Sequence, residues 1–194
     1  MKMRSRKTAA EALAEFENDP AFLERRRRQQ EERRRGEEAD AQAEAPLVQE
    51  LREVGVPIAS VWDLVNAGNQ FSQSLPILLK HLQMPYPVPV LDGIARAIAV
   101  PEAKFAWPVL VRLFRESTAR QIKDALAVAI SNIADDDVLD ELVELASDPE
   151  HGESRILLLD ALGRLSRSDT RNVLMALGAD PELRKEVQRI LRRL

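Results

Sequence analysis

The sequence predicts an all-α protein made of repeated helical hairpins. The run Asp-Ala-Leu-Gly-Arg-Leu at residues 160–165 recurs in altered form at residues 92–98 and 124–130. The intervals of 32 and 36 residues fall in the range that is typical of stacked helical repeats. In the second part of the chain, apolar residues recur every three or four positions, and no segment alternates like a β-strand.

Composition limits the classes of function. The 194 residues, 45% of them hydrophobic, are enough for one domain and an extension. Charged residues make up 31% but leave a net charge of only −4, so the chain as a whole has no strong attraction for nucleic acid or an anionic membrane. The absence of cysteine excludes disulfides, thiolate metal sites and cysteine nucleophiles.

Residues 1–45 are predicted to form a charged, helical and partly disordered extension. Thr8 is a candidate N-cap for a helix over residues 9–17, with Glu11 in the capping-box position. Residues 18–20, Asn-Asp-Pro, are expected to stop this helix and to start another. No apolar segment follows the basic start of the chain, and none is long enough for a bilayer. We therefore expect a cytoplasmic protein without a membrane partner.

Residues 23–38 are dominated by charge, and two interpretations are open. The arginines at positions 25–28 could contact phosphates or dock a partner. Alternatively they lie on a solvated helix whose own glutamates neutralise it, which we favour because no aromatic residues are interleaved for base stacking. The pairs at i,i+4 spacing are Glu24/Arg28, Glu31/Arg35, Arg28/Glu32 and Arg34/Glu38. Residues 36–45 are predicted to be a frayed end or a linker.

The folded domain is predicted over residues 46–194, with Pro46 as its first helical residue and Gly55 as the stop of that helix. Ser60 is expected to cap a short helix that carries Trp62, which we interpret as a packing anchor beneath the next hairpin rather than as a ligand platform. The helix that begins at Pro46 and this short helix form a first, irregular hairpin. With the regular hairpins that follow, the total is about four to five. The apolar positions of the regular hairpins are Leu75, Leu78, Leu79 and Leu82 with Leu91, Ile94, Ala95 and Ile98; Trp107, Leu110, Val111 and Phe114 with Ile122, Leu126, Ala129, Ile130 and Ile133; Leu139, Leu142, Val143 and Ala146 with Leu158, Leu159, Leu162 and Leu165; and Val173, Leu174 and Leu177 with Val187, Ile190, Leu191 and Leu194.

Residues 46–194 resemble HEAT repeats of the short bacterial kind that is also found in phycobilin lyase-like proteins. The resemblance rests on the second-helix run at residues 161–165 with its two echoes, and on the proline-containing turns at 84–85, 148–149 and 180–181. It implies an α-solenoid that binds a partner through its concave face, since most HEAT arrays are binding scaffolds. The echoes replace Gly163 by alanine and, in one case, Arg164 by valine.

Polar residues of the second helices are the candidates for partner binding. Aspartates at repeating positions can instead bond between adjacent repeats and fix their stacking, and we favour this interpretation for the three in the recurring run. The residues proposed for partner binding are Asp92, Arg96, Arg120, Lys123, Asp124, Arg155, Asp160, Arg164, Lys185 and Arg189.

Other chemistry finds little support in the sequence. The acidic run at residues 135–137 could suggest a divalent cation site, but a helix cap explains it better because the glycine and ligand alternation of a calcium loop are missing. His81 and His151 have no histidine partner at ligand spacing, and neither a phosphate-binding glycine loop nor a serine elbow occurs. We predict no metal, no cofactor and no enzymatic activity.

The preferred function is thus a non-catalytic scaffold or adaptor that binds another protein. A sharper version is an immunity or inhibitor protein for a partner toxin. Nucleic-acid binding is the disfavoured alternative, since the basic residues at the carboxyl terminus of the chain also suit the negative end of a helix dipole.

Overall fold

The computed structural model describes residues 19–165 and 170–194, and within these ranges the chain is all-helical, without a β-strand. The predicted helix over residues 9–17, with Thr8, Glu11 and Asn18, lies outside the described residues. The α-helices are α1 (Pro20–Glu53), α2 (Trp62–Val65), α3 (Leu75–His81), α4 (Val88–Ile98), α5 (Trp107–Glu116), α6 (Arg120–Ile133), α7 (Leu139–Ser147), α8 (Leu159–Arg164), α9 (Thr170–Leu177) and α10 (Arg184–Leu191). Four 3₁₀ segments, Gly68–Ser74, Pro101–Ala106, Asp136–Val138 and Pro149–Leu158, connect some of them.

The first helix begins where the sequence predicts and continues further than expected. Asp19 accepts a hydrogen bond from the backbone nitrogen of Ala21 at 2.9 Å, and Pro20 is the first helical residue. The prediction that Pro46 begins a new helix is wrong, because Pro46 lies inside α1. Residues 36–45, predicted as a frayed end or a linker, are helical because alanine, glutamate and glutamine have high helix propensities that outweigh the single Gly36.

By its contacts the chain divides into two units, Met1–Gln42 and Ala43–Leu194, and the boundary falls at a position inside α1. In the first unit, the described residues form a charged and largely exposed part of the helix. Its ion pairs include Arg28–Glu24 at 2.6 Å, Arg34–Glu38 at 2.9 Å and Arg35–Glu31 at 3.1 Å, which confirms three of the predicted pairs. Arg28 pairs with Glu24 and not with Glu32. Such exposed pairs contribute little to stability, because water and salt screen the charges.

The second unit begins with the end of α1 and the short helix α2. Gly55 has a φ of +82°, and the backbone nitrogen of Val56 donates to the carbonyl of Leu51 at 3.0 Å, so the glycine ends the helix as predicted. The hydroxyl oxygen of Ser60 accepts from the backbone nitrogen of Trp62 at 3.3 Å, but the N-cap of α2 is Val61, one residue after the predicted cap, and its side chain makes no cap hydrogen bond. The Trp62 side chain remains 40% exposed, so it is less buried than the predicted packing anchor.

The remaining helices pack as consecutive pairs around one continuous core. Helix α3 contacts α4, α5 contacts α6, α7 contacts the segment Pro149–Leu158, and α9 contacts α10. Most of the apolar stripes that the sequence predicts are buried in this core. It consists of leucine, isoleucine, valine and alanine side chains, together with Trp107 and Phe114.

The second members of these pairs also contact one another in order along the chain. Helix α4 contacts α6, α6 contacts both Pro149–Leu158 and α8, and α8 contacts α10. Small residues make this close approach possible: a Cβ added to Gly163 of α8 would lie 2.6 Å from Cγ2 of Ile190 on α10. The buried Ala95 and Ala127 occupy the corresponding positions on α4 and α6.

The third of these pairs departs from the predicted regular helix. Residues Pro149–Leu158 form a 3₁₀ segment that is interrupted at Gly152, where φ is +58° and ψ is −147°. An L side chain rarely adopts this backbone conformation, which glycine tolerates. As a result the α-helical part, α8, starts only at Leu159.

Candidate functional site

The recurring aspartates lie where successive helices of the second unit meet. Asp92, on α4, is 5% exposed and accepts hydrogen bonds from Nε of Arg96 at 2.6 Å and from Nε2 of Gln121 at 2.9 Å. Asp124, on α6, accepts from the hydroxyl of Ser154 at 2.6 Å. In both cases a donor comes from the following pair of helical segments, so these two carboxylates connect neighbouring pairs.

Asp160 does not continue this pattern of hydrogen bonds. It is exposed, and its charge is one of the causes that raise the pKa of Arg189 on α10. Hydrogen bonding to Glu186 is the main cause of the raised pKa of Arg189, and the charge of Asp160 contributes the least. Unlike Asp92 and Asp124, Asp160 has no hydrogen bond to the next pair among the described residues.

A second series of polar contacts joins the carboxyl ends of the same helices. Asn132 donates from Nδ2 to the carbonyl of Ala99 at 3.0 Å, and Arg164 donates from Nη2 to the carbonyl of Ser131. Arg164 is therefore bonded to α6 and not to Asp160. The sequence analysis did not select Gln121, Ser154 or Asn132. These residues lie 29 to 33 positions from their partners, close to the repeat interval, and this spacing could have identified them.

Arg155 is the clearest correction among the predicted partner-binding residues. The prediction that its side chain faces outward is wrong, because Arg155 is only 2% exposed. Its guanidinium donates to Asp180 at 2.8 Å, to Glu182 at 2.7 Å and to the carbonyl of Gly152 at 2.9 Å. Burial lowers the pKa of Arg155, but its hydrogen bonds and charge interactions with the two carboxylates outweigh this and leave the pKa raised. Arg155 thus holds the turn before α10 in place.

Arg120 and Lys123 come together in a surface hollow of about 560 Å³ at the start of α6. We call it the α6 hollow. Its wall is formed by the end of α5, the loop between α5 and α6, the first turn of α6 and the start of Pro149–Leu158. The lining residues are Arg115, Ser117, Thr118, Arg120, Lys123, Glu150, His151, Gly152, Glu153 and Ser154.

The three cations of the α6 hollow differ in how they are paired. Arg120 pairs with Glu153 and lies 3.6 Å from Asp124, while Arg115 lies 3.4 Å from both Glu141 and Glu144. Lys123 has no carboxylate within ion-pair distance among the described residues. Its ammonium lies 5.2 Å from the centre of the Phe114 ring, in cation–π geometry.

His151 lies in the wall of this hollow and is 7% exposed. Its ring meets the Phe114 ring edge to face at a centroid distance of 4.6 Å, and Nε2 lies 3.7 Å from Asp148. Nδ1 is buried and has no hydrogen-bond partner in the part of the chain that the structure describes. Burial is the main cause that lowers the pKa of His151, with the positive charge of Lys123 second.

Lys185 and Arg189 line a different hollow, of about 540 Å³, along α10. It also contains Glu182 and Glu186, and Arg189 is hydrogen-bonded to Glu186 at 2.7 Å. The predicted partner-binding residues therefore do not form one site. Some of them make hydrogen bonds between neighbouring pairs, others line the α6 hollow, and Lys185 and Arg189 line this carboxyl-terminal hollow.

The acidic run at residues 135–137 has the predicted cap role. Asp135 accepts from the backbone nitrogen of Asp137 at 3.0 Å and pairs with Lys104 at 2.7 Å. Within residues 19–165 and 170–194, no three histidine, aspartate or glutamate side chains are grouped as metal ligands would be.

Comparisons of the chain with protein-family models, with curated proteins and with solved structures find no match. None of the described helices is both long and apolar enough to cross a membrane.

Proposed function

We propose that residues 46–194 form a HEAT-like α-solenoid that acts as a non-catalytic scaffold for another protein. The observation that carries the proposal is the ordered contact between second helices, from α4 to α6, then to Pro149–Leu158 and α8, and then to α10. In a repeat protein each unit packs against its neighbours, and the row of second helices provides an extended binding surface.

The polar contacts between pairs support this proposal. The bonds Asp92–Gln121 and Asp124–Ser154 occur at nearly the same sequence spacing, 29 and 30 residues. The second series, Asn132 to Ala99 and Arg164 to Ser131, has a constant spacing of 33 residues. Repetition of the same contact at the same spacing is what stacked copies of one unit produce.

The exposed side chains of the second helices are the proposed contact residues. Asp160, Arg164, Lys185 and Arg189 are exposed, and they carry both signs of charge. A surface of mixed charge favours a protein partner over a uniformly anionic nucleic acid. Neither a toxin nor any other partner is singled out by these residues, so the immunity or inhibitor version stays a subsidiary proposal.

The proposal can be tested by quantitative affinity capture with two matched charge reversals. Lys185→Glu changes an exposed lysine of the second helix α10, and Arg171→Glu changes an exposed arginine of the first helix α9. We expect Lys185→Glu to reduce recovery of a specific partner protein at least tenfold. Arg171→Glu should leave recovery unchanged.

Two results would contradict the scaffold proposal. One is equal loss of the partner with the α9 and α10 variants, which would place the contact outside the second helices. The other is recovery that disappears after nuclease treatment and falls steeply with salt, since phosphate contacts produce that dependence.

A further inference from the structure

Three arginines near the start of α1 have no ion pair in the part of the chain that the structure describes. They are Arg25, Arg26 and Arg27, and all three are exposed. The other arginines of the charged run are paired within the helix: Arg28 with Glu24, Arg33 with Glu37, Arg34 with Glu31 and Glu38, and Arg35 with Glu31. Neutralisation by the glutamates of the helix therefore applies to these paired arginines and not to the first three.

The sequence spacing explains why these three arginines are left without partners. Side chains on a helix interact with those three or four positions away. No acidic residue lies at these distances from Arg25 or Arg26. Arg27 has two such neighbours, Glu24 and Glu31, but their carboxylates pair with other arginines at 2.6 to 3.1 Å. The three guanidinium charges are therefore uncompensated.

The charges are also segregated around the helix. An α-helix turns by about 100° per residue, so positions three, four and seven apart share a side. One side of α1 has no acidic residue from position 20 to position 33, and we call it the arginine face. Its exposed residues are Leu23, Arg26, Gln29, Gln30 and Arg33, and it is flanked by Arg25 and Arg27. The acids at positions 24, 31 and 32 lie on the other side of the helix.

The arginine face is accessible over about three helical turns. Between Leu23 and Arg33 the helix rises by about 15 Å. The side chain of Leu23 is 39% exposed, and both glutamines are exposed as well. The face therefore presents one apolar and two amide side chains among its arginines.

We propose that the arginine face binds an acidic segment of another protein through its carboxylates. Charge complementarity supports this partner, because uncompensated guanidinium groups attract carboxylates and each can bind one in a bidentate manner. The cations of the face are all arginines, and arginine suits carboxylate pairs at interfaces better than lysine does. The amides of Gln29 and Gln30 can donate to further oxygens of the same segment.

Two other anionic partners fit this face less well. A nucleic acid that ran along the helix would meet no net positive charge, since residues 19–42 contain seven arginines and seven acidic residues. Helices that bind a membrane surface bury a large apolar face, whereas the exposed part of the arginine face has only Leu23. The proposal concerns the first unit alone, and it does not depend on the scaffold function of the second helices.

The test is fluorescence anisotropy with the full-length protein and a labelled probe peptide. The probe is an alanine-based helical peptide with glutamate at every third or fourth position, and its control carries glutamine at the same positions. We expect saturable binding of the glutamate peptide. Its dissociation constant should be at least tenfold lower than that of the glutamine peptide at the same ionic strength.

Two triple variants of α1 separate the arginine face from charge in general. The first changes the unpaired arginines: Arg25→Gln, Arg26→Gln and Arg27→Gln. The second changes three paired arginines: Arg28→Gln, Arg34→Gln and Arg35→Gln. The first should raise the dissociation constant of the glutamate peptide at least tenfold, and the second less than threefold. Both remove the same charge from exposed positions, and glutamine is a good helix former, so both proteins should fold.

Several outcomes would overturn the proposal. These are equal dissociation constants for the two peptides, no saturable binding of either, or an equal loss of affinity in the two triple variants. Tighter binding of a DNA duplex or of vesicles with phosphatidylserine than of the glutamate peptide would show that the face serves a nucleic acid or a membrane. A dimer that dissociates only in the first variant, measured by sedimentation velocity, would replace the partner protein by a second copy of this chain.

Discussion

Gln121 of α6 donates a hydrogen bond to the buried carboxylate of Asp92 on α4, with 2.9 Å between Nε2 and Oδ2. The two residues are 29 positions apart and belong to neighbouring helical pairs. Arg96 binds the other oxygen of the same carboxylate from within α4. A buried charge is tolerated when it is paired and hydrogen-bonded, and here one partner comes from each of the two pairs.

This contact should contribute to stability through both partners. We expect Asp92→Ala to lower the free energy of unfolding by about 1.5–3 kcal/mol, since hydrogen bonds to a buried charged group are lost. Gln121→Ala should cost less, and a double-mutant cycle should give a coupling of about 0.5–3 kcal/mol. Urea denaturation followed by circular dichroism measures all four proteins.

The matched control is Asp160→Ala, which removes the exposed aspartate from the corresponding position of α8. We expect a change within about 0.5 kcal/mol, as for most surface substitutions. Equal costs for Asp92→Ala and Asp160→Ala would mean that burial of the carboxylate does not matter. Additive costs in the double-mutant cycle would show that Asp92 and Gln121 do not stabilise each other.

Gly163 should be needed for the close approach of α8 and α10. An alanine Cβ would meet Cγ2 of Ile190 at 2.6 Å, and Ile190 is buried and cannot move freely. We expect Gly163→Ala to destabilise the protein by about 1–3 kcal/mol through overpacking, despite the better helix propensity of alanine. Thermal unfolding of the variant provides the measurement.

Two further variants separate overpacking from other effects. Gly36→Ala, in α1, places the same methyl group where no atom lies within 4 Å, so it should only increase helicity. Ile190→Ala removes the clashing methyl, so in that background Gly163→Ala should cost nothing further. A full cost of Gly163→Ala in the Ile190→Ala background would refute the close approach.

Arg155 should stabilise the fold through contacts that lysine cannot reproduce. The guanidinium reaches Asp180, Glu182 and the carbonyl of Gly152 with three different nitrogens. We expect Arg155→Lys to cost about 1–3 kcal/mol, because a lysine cannot reproduce the planar, forked geometry. Arg171→Lys, on the exposed face of α9, should change the free energy of unfolding by less than about 0.5 kcal/mol. Unchanged stability of Arg155→Lys in urea denaturation would show that the three contacts are not essential.

The sequence predicts local features better than contacts between pairs. The Asp19 cap, the Gly55 stop and the apolar stripes depend on nearby residues, so their patterns are visible in the chain itself. The role of Gln121 is not, because it depends on how α6 is rotated against α4. Arg155 was assigned to the surface for the same reason: its carboxylate partners lie in the turn before α10, 25 and 27 positions away.

The continuity of α1 shows that local sequence signals can also mislead. Pro46 and Gly36 are both common at helix ends, so each predicted a break. In the structure the flanking helix-forming residues prevail, and Leu47, Val48 and Leu51 after the proline are buried in the second unit. Burial of that apolar stripe stabilises a helix that local signals alone would end.

His151 should make stability depend on pH near neutrality. Burial and the charge of Lys123 lower its pKa from the usual 6.5, so the folded state favours the neutral ring. As the pH falls below 6.5, the unfolded state takes up a proton that the folded state does not. Stability is therefore full above this value and decreases as the pH falls from it toward the lowered pKa.

We expect the free energy of unfolding to fall as the pH is lowered from 6.5 toward the lowered pKa of His151, and His151→Gln to flatten this dependence because glutamine does not titrate. Lys123→Gln should weaken the dependence, since it removes one cause of the lowered pKa. Urea denaturation at a series of pH values measures each slope. The carboxylates of Asp135 and Asp180, whose pKa values are lowered from 3.8, lose their contribution only in more acidic solution, so they do not interfere. An unchanged slope in His151→Gln would assign the dependence to another group.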